Sequence, residues 1–134
     1  MDPKERLIFP LDVGSAAAAQ KWLALLKNEV GLFKVGLELF MAEGPQFLRD
    51  LAEAAPGGYF LDLKFHDIPA TVQGACRHLG RGVKLTTVHA DQSRTRFKDM
   101  VAGLGGEVKV RGVTVLTSLT PEDLLAAGIA PELA

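Results

Sequence analysis

The sequence predicts an α/β fold built on parallel strands, and three observations predict it. Short apolar runs alternate with longer stretches of helical periodicity along the chain. The alternation gives five strand-then-helix units in succession, the pattern of parallel strands joined by right-handed helical crossovers. Asp12, Lys34, Lys64 and His89 fall at or near the C-terminal ends of separate strands, where the loops of α/β folds build their sites.

The elements follow in order. Leu7–Asp12 (LIFPLD) is strand-like although Pro10 interrupts it, and Gly14-Ser15 leads into a helix over Ala16–Asn28, where Trp22, Leu23, Leu25 and Leu26 form an apolar face. Leu32–Gly36 (LFKVG) is a second short strand. Glu38–Ala54 is helical but broken near Gly44-Pro45, with Phe47, Leu48 and Leu51 at inward spacing, and Pro56-Gly57-Gly58 closes the unit. Tyr59–Lys64 (YFLDLK) is the third strand, Thr71–Gly80 a helix, Val83–His89 the fourth strand, Thr95–Gly103 a helix, and Glu107–Thr117 the fifth strand. A last helix starts at Thr120-Pro121-Glu122-Asp123, an N-cap followed by proline and acids in the first turn.

Two architectures satisfy this order, an open doubly wound sheet and a (β/α) barrel, and periodicity does not separate them. A barrel needs eight strands and about 250 residues. The 134 residues would then supply just over half of one. No sequence repeat, low-complexity tract beyond the short alanine run, or linker divides the chain, so 1–134 is read as a single domain, incomplete if it is a barrel.

Composition narrows the function classes. The chain is 48% hydrophobic and 23% charged, enough apolar material for a core, which sets disorder aside. Fifteen Lys and Arg against 16 Asp and Glu leave a net charge of -1, with no basic excess to hold a nucleic-acid backbone. The single Cys76 makes no intramolecular disulfide or cysteine-rich metal site, and its apolar setting suggests a reduced, buried thiol and a cytoplasmic address. The charged N-terminus is too short in apolar content for a signal peptide, and nowhere do 18 apolar residues run together, so secretion and membrane spanning are not expected.

The densest ionisable cluster is Asp62-Leu63-Lys64-Phe65-His66-Asp67, followed by Ile68-Pro69. Side chains two apart on a strand share a face, so Asp62 and Lys64 point one way while Leu61 and Leu63 point the other. Asp67 lies beyond the strand in a loop that Pro69 stiffens, free to curl over the pair or to reach a neighbouring subunit. A structural ion pair at a strand end is one reading of D-x-K. The other reading is a site, and two residues favour it. Lys34 sits inside an otherwise apolar strand and Asp12 ends another, and burying such charges is costly unless they meet opposite partners. An Asp-Lys-Asp-Lys alternation from separate strand ends would hold two ammonium groups among carboxylates, a positioned acid without a nucleophile. No Ser, Cys or Thr comes with a His and an acid in recognisable order. The glycines at 103, 105 and 106 precede a strand and read as a helix stop, not a phosphate cradle. His78 reads as a surface residue, His66 flanks the charged cluster, and His89 is kept as a residue lining the site. No clear metal-ligand set is present, so no metal is assigned.

DLKFHDIPATV, Asp62 to Val72, resembles the signature D-x-K-x-x-D-I-P-N-T-V of the orotidine 5'-phosphate decarboxylase family. FPLDV at Phe9–Val13, FKVGLELF at Phe33–Phe40, VHA at Val88–Ala90 and VTVLTS at Val113–Ser118 support it in the family's order, so the resemblance covers nearly the whole chain. Ala70 departs from it, standing where the family usually has Asn and losing a polar contact in the loop. Related barrel enzymes acting on sugar phosphates share D-x-K-x-x-D alone; Ile68-Pro69 and Thr71-Val72 favour the orotidylate enzyme.

The resemblance implies a (β/α)8 TIM barrel, here incomplete at about five parallel strands and forming the N-terminal portion, which dimerises through its active-site faces. It implies conversion of orotidine 5'-monophosphate to UMP and carbon dioxide with no metal or organic cofactor. Lys34, Asp62 and Lys64 would form one subunit's charged network, with Lys64 the proton donor to C6, and Asp67 would enter from the partner subunit. Asp12 and Lys34 resemble ribose-contacting residues, Asp67 and Thr71 would reach the ribose across the dimer, and Thr117 with Ser118 resembles the pyrimidine-binding loop. The family's phosphate-gripping loop comes from later strands, so the 134 residues by themselves are expected to be inactive. The alternatives are a catalytically inert half-barrel that only associates with itself or a missing half, and a magnesium-dependent sugar-phosphate lyase of the same superfamily.

Overall fold

The structure is a computed structural model that describes residues 2–130. After a 3-10 turn at Pro3–Arg6 come five strands, β1 (Ile8–Pro10), β2 (Leu32–Gly36), β3 (Tyr59–Phe65), β4 (Val83–His89) and β5 (Lys109–Val113). Between and after them lie α1 (Ala16–Leu26), α2 (Leu37–Ala54), α3 (Pro69–Arg77), α4 (Arg94–Val101) and α5 (Pro121–Ala126).

The strands form one sheet in the order β1-β2-β3-β4-β5, and every pair is parallel. That order decides between the two architectures. A doubly wound sheet reverses direction at a switch point, whereas a barrel adds each strand beside the one before it. The sheet is therefore an arc of a (β/α) barrel, with β1 and β5 at its two edges.

Alternation along the strands divides the sheet into two faces. On β2, Phe33 and Val35 are buried while Leu32, Lys34 and Gly36 are half-buried; on β3, Tyr59 and Leu61 are buried and Phe60 and Asp62 less so. The buried set joins Leu39, Phe47, Leu48 and Leu51 of α2 and Ala19 and Leu23 of α1 in the larger core. Val72 and Cys76 of α3, Val88 of β4 and Met100 of α4 form a second one. Truncating a wholly buried member such as Leu51 to alanine would cost about 2–5 kcal/mol. Lys34 and Asp62 belong to the opposite face, the concave side of the arc.

Several elements depart from the sequence expectation for identifiable reasons. The inward face of α1 runs through Ala19 and Leu23, with Ala16 and Leu26 packed beside them; Trp22 and Leu25 are exposed. The spacing 16, 19, 23, 26 follows 3.6 residues per turn, and Trp22 instead leans on Phe9, ring centroids 5.2 Å apart. Ser15 caps α1 through its hydroxyl, and the Glu43 carboxylate accepts from the Ala16 N–H at 2.7 Å. The expected break in α2 is a kink at Gly44, whose φ of 68° lies in the left-handed region open to glycine. Pro69 does not stiffen a loop: it occupies the first turn of α3, where its missing N–H costs nothing, and moves the helix to Pro69–Arg77. β1 and β5 are shorter than expected. Pro10 offers β1 no ladder N–H, and a turn closed from Leu119 N to the Leu116 carbonyl places Thr117 and Ser118 beyond β5. At α5 the expected cap is a full capping box between Thr120 and Asp123, and these hydrogen bonds hold the Asp123 carboxyl below the usual range.

Candidate active site at the carboxyl ends of the strands

Three successive strands bring in the four charged residues of the site: Asp12 follows β1, Lys34 lies on β2, and Asp62 and Lys64 both lie on β3. Pro10 of β1 pairs with Lys34 of β2, and Gly36 of β2 with Asp62 of β3, so Asp12, Lys34 and Asp62 converge toward the carboxyl-terminal side of the sheet. The Lys34 ammonium lies 2.8 Å from Asp12 Oδ1 and 3.9 Å from Asp62 Oδ2, and the Lys64 ammonium lies 2.9 Å from the same Asp62 oxygen. The result is a continuous chain of alternating charge, Asp12, Lys34, Asp62, Lys64. Asp62 is its most enclosed member, with side-chain exposure of 11% against 20% for Lys34 and 43% for Lys64. A carboxylate so placed needs several partners, and it has two ammonium groups and a hydroxyl.

The hydroxyl belongs to Thr87, which the sequence reading missed. Thr87 Oγ1 on β4 donates to Asp62 Oδ1 at 2.8 Å and accepts from the Lys64 backbone N–H at 2.9 Å. It thereby holds both residues of D-x-K. The only trace in the sequence is the polar pair Thr86-Thr87 inside an apolar strand, and Thr86 is satisfied differently, donating to the Leu61 carbonyl at 2.9 Å.

Asp62 and Lys64 do meet, as period-two spacing predicts, but not on a regular strand. The β3–β4 register slips between Leu61 and Phe65, and Lys64 has φ of 49°, the sole positive φ outside glycine among the described residues. A lysine in the left-handed region is strained by about 1–3 kcal/mol, a cost typical of functional positions. Gly36 lies against the same pair: a Cβ there would stand 3.3 Å from the Lys34 ammonium and 3.7 Å from Asp12 Oδ1, close enough to press on the ammonium. A cavity of about 420 Å³ opens beside the network, bordered by Asp12, Lys34, Gly36, Asp62, Lys64 and by Glu38 at the start of α2. Glu38 is a charged lining residue that the sequence reading also missed; its one signal is its place two residues past the strand end.

The other expected site residues lie elsewhere. Asp67 is exposed, its carboxylate accepts from the Ile68 N–H at 2.6 Å, and it makes no ion pair among the described residues. Thr71, exposed on α3, borders a separate cavity of about 350 Å³ with Lys64, Phe65 and Asp67. Thr117 and Ser118 sit exposed in the turn after β5. His89 does not border the cavity of the charged network; its ring stacks on His66 with centroids 4.4 Å apart. His66, His89 and Asp91 bring their ligand atoms within 4.8 Å of one another, a metal-competent group where the sequence offered no ligand set. The strands hide it, because Phe65 pairs with Val88 and so sets two distant histidines side by side.

A sequentially ordered parallel sheet with its ionisable residues at the carboxyl ends of the strands defines a (β/α)-barrel chain carrying a charge-network site. The chain belongs to the orotidine 5'-phosphate decarboxylase / HUMPS family, whose sequence profile matches residues 5–132. It is 48% identical over 131 residues to orotidine 5'-phosphate decarboxylase of Anaeromyxobacter sp. (strain K), covering 97% of this chain and 57% of that protein. It is 42% identical over 132 residues to orotidine 5'-phosphate decarboxylase of Desulfosudis oleivorans, covering 97% of this chain and 53% of that one. The crystal structure of orotidine 5'-phosphate decarboxylase from Pyrococcus horikoshii superposes with a TM-score of 0.72 at 27% identity, over 88% of this chain and 55% of that chain. The chain thus spans about half the length of the curated relatives it matches. No helix among the described residues is long and apolar enough to cross a membrane.

Proposed function

We propose that the protein acts in pyrimidine biosynthesis, in the decarboxylation of orotidine 5'-monophosphate to UMP, and that this chain supplies five of the eight strand-helix units of the barrel. The observation that carries the reading is the Asp12, Lys34, Asp62, Lys64 chain, locked by Thr87. Loss of carbon dioxide leaves the electron pair of the broken bond on C6 of the pyrimidine, and a proton must then reach that carbon. Lys64 supplies the proton, and its ammonium offsets the negative charge as it develops. Asp62 holds Lys64 at 2.9 Å and faces the departing carboxylate. Lys34 stands between Asp12 and Asp62, so these carboxylates already face a fixed positive charge of the chain itself, which supports chemistry by fixed charges over the magnesium-dependent alternative.

Asp12 and Lys34 contact the ribose in this reading, and Thr117 with Ser118 receives the pyrimidine. Asp67 and Thr71 serve the site of a second subunit in a homodimer; that Asp67 makes no ion pair among the described residues and accepts only from the Ile68 N–H supports that assignment. The test is Lys64→Ala in a chain that also carries the barrel's later strands. Decarboxylation should be abolished while UMP binding is largely kept, because a proton donor acts on the transition state more than on the bound ground state. Retained turnover would refute the assignment.

A further inference from the structure

The concave edge of the sheet holds a second cluster, separate from the lysine network and built from three different donors. Parallel pairing of Phe65 with Val88 makes His66 and His89 neighbours at the carboxyl ends of β3 and β4, and their rings stack at 4.4 Å with 18° between planes. Beyond β4 the chain is held by the Ala90 N–H donating to the Val113 carbonyl at 2.8 Å, and Asp91 follows directly. Asp91 Oδ1 lies 3.3 Å from His66 Nε2, and Asp91 Oδ2 lies 4.0 Å from His89 Nδ1. Each oxygen of one carboxylate faces a nitrogen of a different imidazole, at separations longer than a good N–H···O bond.

We propose that His66, His89 and Asp91 form a binding site for a divalent transition cation of the zinc class. Two imidazoles and one carboxylate are a donor set that zinc, cobalt and nickel accept, whereas magnesium and calcium prefer oxygen alone. The three ligand atoms lie within 4.8 Å of one another. Bonds of about 2.0–2.2 Å to one tetrahedral ion bring ligand atoms to roughly 3.4 Å, so binding asks for a modest contraction. The side chains are suited to that movement. His89, 17% exposed on β4, is the fixed ligand, while His66 and Asp91, 48% and 42% exposed, can rotate toward it. An open cavity of about 540 Å³ alongside, bordered by His66, Asp67, Ser93 and Arg96, gives access to His66 from solvent. An ion held there ties the loop after β3, which carries Asp67, to the loop after β4.

The test uses the chain itself with zinc as ligand and cobalt as spectroscopic probe. Calorimetric titration at pH 7.5 should give one zinc per chain. His66→Gln and Asp91→Asn should each weaken binding at least about tenfold, since each removes one of three ligands. His78→Gln, at the exposed end of α3, should leave binding unchanged. Bound cobalt should show visible d–d bands without a thiolate charge-transfer band, and zinc should move the NMR signals of His66 and His89 but not of His78. Circular dichroism confirms folding of each variant; should His66→Gln fail to fold, Asp91→Asn in its exposed loop decides alone. Absence of stoichiometric binding, equal affinity in Asp91→Asn, or a thiolate band implicating Cys76 overturns the proposal.

Discussion

Thr87→Val isolates the hydroxyl that joins β4 to the charged network. Valine has the same shape, so the substitution removes two hydrogen bonds and leaves the packing of a residue only 6% exposed intact. The bond donated to the Asp62 carboxylate at 2.8 Å is charge-assisted, and such bonds contribute about 1.5–3 kcal/mol. The bond from the Lys64 N–H at 2.9 Å contributes about 0.5–1.5 kcal/mol, and part of it is recovered because water reaches the exposed Lys64. Asp62 also keeps its two lysines. The expected loss is therefore about 2–3 kcal/mol. In urea denaturation, with a slope of about 2 kcal/mol/M for a chain of this size, the midpoint should fall by roughly 1–1.5 M with the slope unchanged. Thr87→Ser keeps the hydroxyl and should lose no more than about 1 kcal/mol, the value of one buried methyl group. A valine variant within about 0.5 kcal/mol of the parent would refute the reasoning. So would a serine variant as damaged as valine, which would mean that the methyl group rather than the hydroxyl matters.

Three further outcomes are expected. In chains carrying the whole barrel, mixing inactive Asp67→Ala with inactive Lys64→Ala subunits should restore activity, since one site of each heterodimer receives both intact residues; heterodimers that form without recovery would place Asp67 in its own subunit's site. Tyr59 is wholly buried, its hydroxyl has no partner among the described residues, and burial pushes its pKa from 10.0 up to about 12. Tyr59→Phe should accordingly be neutral or stabilising near pH 7. Above pH 10 the unfolded tyrosine ionises first, so the parent should lose stability relative to Tyr59→Phe, on the order of 2 kcal/mol by pH 12, and parallel denaturation series with no divergence would count against that burial. Burial likewise pushes the Cys76 thiol up, so alkylation at pH 8 should be slow in the folded chain and rapid in denaturant, as mass spectrometry of the alkylated protein will show.

The order of strands and helices, the kink at Gly44-Pro45 and the four charges at strand ends were legible in the sequence because each is a local pattern. Periodicity reports which residues share a face, and an apolar strand interrupted by a single lysine announces that a partner must exist. The family signature at Asp62–Val72 is equally local. Tertiary structure decided what depends on residues far apart in the chain. Sequential strand order made the sheet an arc of a barrel, where the same rhythm suited a doubly wound sheet equally well. The inward face of α1 was set by the surface it packs against, which turned Trp22 out and Ala19 in. Thr87 became a partner of Asp62, and His66 a neighbour of His89, through the β3–β4 pairing with its slip at Lys64. The physical reason is common to all three. Side-chain chemistry is written residue by residue, but which side chains meet is fixed by register and packing between segments that the sequence keeps some 20 or more residues apart.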